Sequence, residues 1–204
     1  MNYLSLFAKV ISYIFHPVLL PFYTLLMMLE PHSFFQGLIP GRDIIILLGS
    51  VLLSTAVFPL LMIYFLFRTG FVSSYFMQKK EERLFPLIAI AVFYYLTYYF
   101  LKGISISVLF SFFMLGSTLL VILALFLNFF FKISLHMVAI GGMTGFWTGL
   151  NIRQGTTHEI FLALLIFLGG LMGYARLQNG QHAPNEIYSG WLMGTGIMFA
   201  LMMI

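Results

Sequence analysis

Long apolar stretches separated by short polar segments make up almost the whole chain. A helix that crosses about 30 Å of membrane hydrocarbon needs about 20 predominantly apolar residues. The fifth stretch is short and the fourth is long enough to tilt, so the pattern predicts an all-α polytopic membrane bundle of six or seven transmembrane helices. The stretches lie near residues 10–29, 44–67, 84–101, 104–131, 137–150, 160–175 and 187–204.

Composition agrees with a lipid-facing exterior. Only 8% of the residues are charged and 61% are hydrophobic, whereas an average soluble domain has roughly 25% charged residues. The net charge is +4, but no basic cluster is dense enough to follow a phosphate backbone, so we expect no nucleic-acid partner. Cysteine is absent, which excludes disulfides, thiolate metal sites and a cysteine nucleophile.

Crossing the membrane at each stretch places the polar segments on alternate faces. We define side A as the face that the chain reaches after the second stretch. Three polar segments that are far apart in sequence then fall on side A, namely residues 68–83, 132–136 and 176–186. The alternation therefore predicts that their side chains meet at one membrane surface.

Glycine spacing predicts close packing of the last helices. Of the 18 glycines, 12 lie from Gly141 onward, and small residues spaced four apart let membrane helices approach closely. The helices concerned carry His136, Arg176 and His182 at their ends. No long linker interrupts the chain, so we expect a single domain over residues 1–204.

The segment 176–186 carries the clearest chemistry. Pro184 suits the first turn of the last helix, which places Glu186 near its third position and His182 just before it. A carboxylate there can orient the imidazole, favour its protonated form and leave the other ring nitrogen as a nucleophile or base. The alternative is that Glu186 only caps the helix and His182 is an interfacial bystander.

Two further segments could supply phosphate ligands. Ser134 is a natural N-cap with His136 beside it, and first-turn amides with a serine hydroxyl form an anion site. The alternative is a plain cap. The cations Lys79, Lys80 and Arg83 begin a membrane stretch, but juxtamembrane cations also anchor helices at lipid headgroups.

The conjunction of these groups suits a phosphoryl group. Cations and amides can hold its oxygens, one histidine can attack phosphorus, and the other can protonate the departing oxygen. His16, which precedes Pro17 inside the first stretch, is interpreted separately as a kink or a partly hydrated pocket.

The order and spacing of the three segments resemble the signature of the type 2 phosphatidic acid phosphatase superfamily, the membrane lipid phosphatases related to vanadium haloperoxidases. The family's third motif, Ser-Arg, five residues, His, three residues, Asp, is similar to Ala175-Arg176, His182 and Glu186. Its Pro-Ser-Gly-His motif is similar to residues 133–136, and its first motif to Lys79 or Lys80 with Arg83.

This resemblance implies a role for each residue. His182 would be the nucleophile that forms a phosphohistidine, Glu186 its orienting partner, and His136 the acid for the leaving group, with neither metal nor cofactor. It covers roughly residues 76–204 as a phosphatase-like core in the C-terminal two-thirds of the chain, and residues 1–75 would add two N-terminal helices. The phosphoryl oxygens would be held by Arg176, Arg83, Lys80, Lys79 and Ser134.

The sequence departs from the family at three places. Leu135 replaces a glycine that lets backbone approach the phosphate, Ala175 removes a hydroxyl donor, and Glu186 lengthens the carboxylate arm. The leading hypothesis is hydrolysis of a lipid phosphate monoester or diphosphate, of the phosphatidate, phosphatidylglycerophosphate or prenyl diphosphate type. The alternatives are a catalytically silent relative that binds lipid phosphates, and a small-solute or proton transporter.

The expected location is a lipid bilayer, with a membrane lipid phosphate as the partner. Once Lys79, Lys80, Arg83 and Arg176 are reserved for phosphate, the remaining cations are equally divided between the two faces, so the positive-inside rule does not decide orientation. The resemblance implies a bacterial inner membrane with side A facing the periplasm or the outside. The sequence leaves the oligomeric state open.

Overall fold

The computed structural model describes residues 3–30, 41–73, 81–103, 108–155 and 159–204, and these ranges are helical, without a strand. The predicted all-helical fold is therefore confirmed. The α-helices are α1 (Tyr3–Ile14), α2 (Leu20–Met28), α3 (Gly41–Leu52), α4 (Phe58–Arg68), α5 (Leu84–Gly103), α6 (Val108–Asn128), α7 (Leu135–Gln154), α8 (Glu159–Gln178) and α9 (Pro184–Met203).

Short irregular turns connect or begin several of these helices. Residues 15 and 16 interrupt the first apolar stretch, and a 3₁₀ turn, Pro17–Leu19, leads into α2. This break agrees with the kink expected at His16-Pro17, since proline cannot donate a helical hydrogen bond. A π-helical segment, Leu53–Val57, joins α3 to α4, and a 3₁₀ turn, Glu81–Arg83, precedes α5.

In the described residues, five helical segments are long and apolar enough to cross a membrane. This agrees with a membrane protein, but the expected six or seven spans are not confirmed. The fifth and seventh stretches correspond to α7 and α9, which are both 20 residues long but fall outside the set because glycine and polar residues lower their hydropathy. The five segments are Tyr3–Met28, Asp43–Arg68, Glu81–Lys102, Val108–Asn128 and Glu159–Gln178.

The chain divides into two compact units. Unit 1 comprises Met1–Pro17 and Phe126–Ile204, and unit 2 comprises Val18–Leu125. Within unit 2, the π segment packs with α3, α4 and α5, and α2 packs on α3. Within unit 1, α7 packs on α8 and most extensively on α9, and α1 packs on α8. The phosphatase-like core proposed for residues 76–204 stays a prediction.

The α7–α9 interface is built on glycines, as their spacing predicts. Methyl groups at Gly141 and Gly145 would overlap the backbone carbonyls of Trp191 and Thr195, and one at Gly190 would lie 2.9 Å from the carbonyl oxygen of Ser134. The contacts advance in the same direction along both helices, so α7 and α9 run parallel. This arrangement places their N-terminal ends side by side.

Candidate functional site

The N-terminal ends of α7 and α9 are joined by hydrogen bonds. The backbone amide of Ser134 donates to the carbonyl oxygen of Glu186 at 3.3 Å. The Nζ atom of Lys132 donates to the carbonyl oxygen of Gln181 at 2.7 Å. Two of the three polar segments predicted to meet, 132–136 and 176–186, are therefore in direct contact within unit 1.

A tight turn brings the end of α8 back to the start of α9. Gly180 has a φ of +62°, which side-chain-bearing residues rarely adopt. Its amide donates to Leu177 O at 2.9 Å, and the Gln181 amide donates to Arg176 O at 3.2 Å, which ends α8. Pro184 then opens α9, so the turn places His182 between the two helices.

His182 and Glu186 form the predicted pair. The Nδ1 atom of His182 lies 2.6 Å from Oε2 of Glu186, and His182 is only 9% exposed. A carboxylate accepts hydrogen bonds, so Nδ1 carries the proton and Nε2 carries the lone pair of the neutral ring. The same carboxylate oxygen accepts from the Ala183 amide at 3.4 Å. Glu186 therefore both caps α9 and orients the imidazole.

Ser134 is the N-cap residue of α7 by position but not by side chain. Its backbone is extended, and its hydroxyl makes no hydrogen bond to the helix. The residue is fully buried, and Oγ has no hydrogen-bond partner among the described residues. A buried hydroxyl without a partner is costly, and here it stands at a helix N-terminus, where anions bind favourably. The hydroxyl is therefore an available donor for an anion.

His136 is held by a segment far away in sequence. Its Nε2 atom lies 3.2 Å from the carbonyl oxygen of Ser12, at the end of α1. Burial lowers the pKa of His136 well below its ordinary value, and the Arg176 guanidinium lowers it further. The imidazole is therefore neutral at neutral pH, with Nε2 as the protonated nitrogen because a carbonyl oxygen can only accept.

Arg176 supplies a buried positive charge in the last turn of α8. The residue is only 6% exposed, and its charge acts on His136. His182 also interacts electrostatically with His136. Arg176, His136 and His182 therefore form one electrostatic cluster within unit 1, in which Lys132 is joined to the same turn.

His16 belongs to this cluster, although it lies outside the three polar segments that the sequence predicts to meet. Its ring lies edge-on to the His136 ring, with centroids 5.6 Å apart and an interplanar angle of 79°. The Nδ1 atom of His16 is buried and makes no hydrogen bond within the described chain. An ionisable residue inside an apolar stretch is by itself a signal of function, and that signal could have identified His16.

Of the predicted first segment, Arg83 belongs to unit 2 and the two lysines lie outside the described residues. Arg83 is 6% exposed at the end of the 3₁₀ turn before α5, in unit 2. Lys79 and Lys80 lie outside the described residues. The proposed phosphate contacts of these three residues therefore stay predictions from the resemblance.

The side chains of unit 1 suit an anion better than a cation. Among the described residues, no group of three or more His, Cys, Asp or Glu side chains is arranged to hold a metal ion. The cluster instead has one carboxylate, Glu186, bonded to His182, together with Arg176, Lys132 and the histidines. Such a set can bind an oxyanion and present an imidazole nitrogen to it.

Comparison with known proteins found no matching family model, no matching curated protein and no matching solved structure for this chain. The resemblance to the type 2 phosphatidic acid phosphatases therefore rests on the sequence segments described above.

Proposed function

We propose that the protein is an integral-membrane lipid phosphatase that acts through a phosphohistidine. The observation that carries this proposal is the His182–Glu186 pair, with Nδ1 and Oε2 2.6 Å apart. A carboxylate on Nδ1 makes Nε2 a better nucleophile and stabilises the positive charge that develops on the ring during attack. An interfacial bystander histidine needs no such partner.

The first chemical step transfers the phosphoryl group to His182. The Nε2 lone pair forms a bond to phosphorus while the bond from phosphorus to the lipid oxygen breaks. The departing oxygen takes both electrons of that bond and a proton from protonated His136. A lipid alcohol leaves, or a lipid monophosphate when the substrate is a diphosphate.

Water completes the reaction in a second step. Its oxygen attacks phosphorus, its proton passes to His136, and the phosphorus–nitrogen bond breaks, which returns the electron pair to Nε2 of His182. Inorganic phosphate leaves. Burial and Arg176 lower the pKa of His136 and favour its neutral ring, whereas the negative charge of a bound phosphoryl group favours the protonated ring that the first step needs.

The phosphoryl oxygens would be held by Arg176 and Ser134. A guanidinium can donate two parallel hydrogen bonds to a phosphate, and the buried hydroxyl of Ser134 is without a partner in the described residues. The resemblance assigns the same role to Arg83, Lys79 and Lys80. Arg176 ends a helix that is long and apolar enough to span a membrane, which suits a headgroup at the membrane surface with its tail in the bilayer.

A catalytically silent lipid-phosphate-binding protein is the second candidate. It is favoured by Leu135, which stands between Ser134 and His136 where the resembling family has glycine. A larger side chain there limits the approach of backbone to a phosphate. A transporter has less support, since a relay requires polar groups through the membrane depth, whereas the described contacts of this cluster gather at one end of α7 and α9.

Phosphate release by the purified protein tests the proposal. The protein in detergent is assayed against phosphatidate, phosphatidylglycerophosphate and a prenyl diphosphate. We expect release from one of these lipids, inhibition by vanadate, and loss of release in His182→Gln. Gln178→Ala, an exposed change at the end of α8, is the matched control. Full turnover by His182→Gln contradicts the phosphohistidine, and vanadate binding without turnover by the wild type supports the silent binder.

The membrane location and orientation need a separate measurement. The proposal places the protein in a bacterial inner membrane with the site facing outward. We expect a cysteine introduced at Gln181 to react with an impermeant maleimide added to intact cells. Labelling only after the cells are opened would place the site on the cytoplasmic face.

A further inference from the structure

A backbone carbonyl near the end of α1 and a side chain just beyond it both contact His136. Along a continuous helix, the carbonyl of Ser12 would accept a hydrogen bond from the amide of His16. Here the His16 amide donates instead to Tyr13 O at 3.3 Å, and Pro17 has no amide hydrogen to continue the helix. The break leaves the Ser12 carbonyl as an acceptor for Nε2 of His136, at 3.2 Å.

This hydrogen bond selects one tautomer of His136. A carbonyl oxygen can only accept, so the neutral ring carries its hydrogen on Nε2 and its lone pair on Nδ1. The atom of His136 that can gain or lose a proton during a reaction is therefore Nδ1. His182 has the opposite arrangement, since its Nδ1 is bonded to Glu186. The two imidazoles of the site thus expose different nitrogens to a ligand.

His16 provides a second restraint on the same ring. Its edge-on contact with His136, at a centroid distance of 5.6 Å, limits rotation of the His136 ring about its side-chain bond. The charged and titratable groups that act on His136 besides His16 are Arg176 from α8 and His182 from the turn before α9. Ring packing, rather than a hydrogen bond between the two imidazoles, is the contact that the structure shows.

We infer that the broken end of α1 is the positioning element for the acid of this site: the Ser12 carbonyl fixes the hydrogen on Nε2 of His136, the His16 ring holds its plane, and Nδ1 protonates the leaving oxygen. The inference rests on the proposed function. In the step concerned, the phosphorus–oxygen electron pair goes to the leaving oxygen, which takes the Nδ1 proton. The imidazolium becomes the neutral ring that Ser12 already holds.

The inference involves residues outside the three-segment signature. The resemblance covers residues 76–204, whereas Ser12 and His16 belong to the first apolar stretch. Since α1 packs on α8 within unit 1, the same contacts that dock this helix also set the orientation of His136. This gives the N-terminal helix a role in the reaction as well as in folding.

Substrates with different leaving groups separate positioning of an acid from general damage. We compare an alkyl phosphate and a nitrophenyl phosphate that carry the same lipid tail, because a nitrophenolate leaves without a proton. His16→Ala removes the ring, and His16→Phe keeps a ring of similar shape. General acid catalysis contributes about 10² to 10⁴ in rate.

We therefore expect His16→Ala to lower kcat for the alkyl phosphate by about tenfold to a hundredfold, with KM little changed, and to alter the nitrophenyl reaction less than about threefold. His16→Phe should recover most of the alkyl activity. His182→Gln should lose both reactions, and Phe7→Ala, at an exposed position of α1, should lose neither. Equal losses on both substrates, or a Phe variant as impaired as the Ala variant, would overturn the inference.

The tautomer can be measured without any turnover. In protein with ¹⁵N-labelled histidine, the resonances of His136, assigned with His136→Gln, should show a protonated Nε2 and an unprotonated Nδ1. A proton on Nδ1 in the neutral ring contradicts the inference. If the wild type hydrolyses neither phosphate, the proposed function fails, and the tautomer still decides whether α1 orients His136.

Discussion

Hydropathy and burial are related differently in α7 of unit 1 and in the helices of unit 2. The segment Asp43–Arg68 of unit 2 is long and apolar enough to cross a membrane, whereas α7 and α9 are outside the candidate spans. Yet 12 of the 20 residues of α7 are buried. High hydropathy therefore marks helices that can face lipid, whereas α7, which begins at the candidate site, is mostly buried against protein.

The two units also differ in how far apart in sequence their side-chain hydrogen bonds reach. In unit 2, several serines and threonines donate to carbonyls three or four residues earlier in their own helix, which satisfies them without a tertiary role. Unit 1 has such hydroxyls too, on Ser12, Thr144 and Thr148, but its lysine and histidine side chains also link distant segments, as between Lys132 and Gln181 or His136 and Ser12. The self-bonded hydroxyls of unit 2 include those of Ser50, Ser54, Thr55, Thr97 and Thr118.

The largest effect is expected from a substitution that breaks the α7–α9 interface. A methyl group in Gly194→Ala would overlap the carbonyl oxygen of Val138 and lie 2.7 Å from the amide nitrogen of Gly142. Backbone cannot yield as a flexible side chain can, so we expect a loss of about 3 kcal/mol or more, or no folded protein. Thermal unfolding and size-exclusion chromatography in detergent measure this.

The matched control is Gly196→Ala on the same helix. Among the described residues, nothing beyond the adjoining turns of α9 lies within 4 Å of the added methyl group, and alanine favours a helix by roughly 0.5–1 kcal/mol over glycine. This variant should be as stable as the wild type or more so. Equal stability of the Gly194 and Gly196 variants would contradict the close parallel contact of α7 and α9.

The next largest effect is expected from replacing the carboxylate of the site by a side chain of the same shape. Glu186→Gln keeps an oxygen that can accept from Nδ1 of His182 but loses the charge that favours the imidazolium. Hydrogen bonds to charged groups contribute about 1.5–3 kcal/mol, so we expect kcat for lipid phosphate release to fall about tenfold to a hundredfold. Glu159→Gln, in the exposed first turn of α8, should leave kcat unchanged.

A smaller effect is expected from pH. Burial and the Arg176 charge lower the pKa of His136 in the folded protein, so the unfolded chain binds a proton that the folded chain refuses. The free energy of unfolding should therefore decrease as pH falls below about 6.5, by at most about 1.4 kcal/mol per pH unit from this group. His136→Gln should reduce that slope in thermal unfolding between about pH 5 and 8. An unchanged slope would contradict a buried, neutral His136.

The smallest effect is expected from a substitution that tests whether the Ser134 hydroxyl binds an anion or caps a helix. Replacing a serine that caps a helix costs about 0.5–2 kcal/mol, but the Ser134 hydroxyl makes no cap hydrogen bond. We expect Ser134→Ala to leave the free energy of unfolding unchanged or to raise it, because a buried hydroxyl without a partner is costly, and to weaken vanadate binding about twofold to tenfold. Calorimetry measures both, and a clear loss of stability with unchanged binding would identify a cap.

The spacing of residues along the sequence predicted those contacts that depend only on residues close together in the chain. The spacing of His182 and Glu186 places them at consecutive turns of a helix start, and their contact follows from that geometry alone. The four-residue spacing of glycines similarly predicts the close faces of α7 and α9. Ser134 shows where this reasoning stops, because the N-cap position is correct but the direction of its hydroxyl depends on packing.

By itself, the sequence determined an all-helical chain with membrane-type helices, the pairing of His182 with Glu186, and a glycine face on the last helices, because periodicity and short spacing act along one helix. The alternation of apolar stretches also predicted that residues 132–136 and 176–186 meet, but only the tertiary structure decided that Lys132 bonds to Gln181 and that His16 and the Ser12 carbonyl meet His136. Those contacts join residues 124 and 49 positions apart. The contacts of His136 depend on where the broken helix α1 docks, and no local pattern along the chain encodes that position.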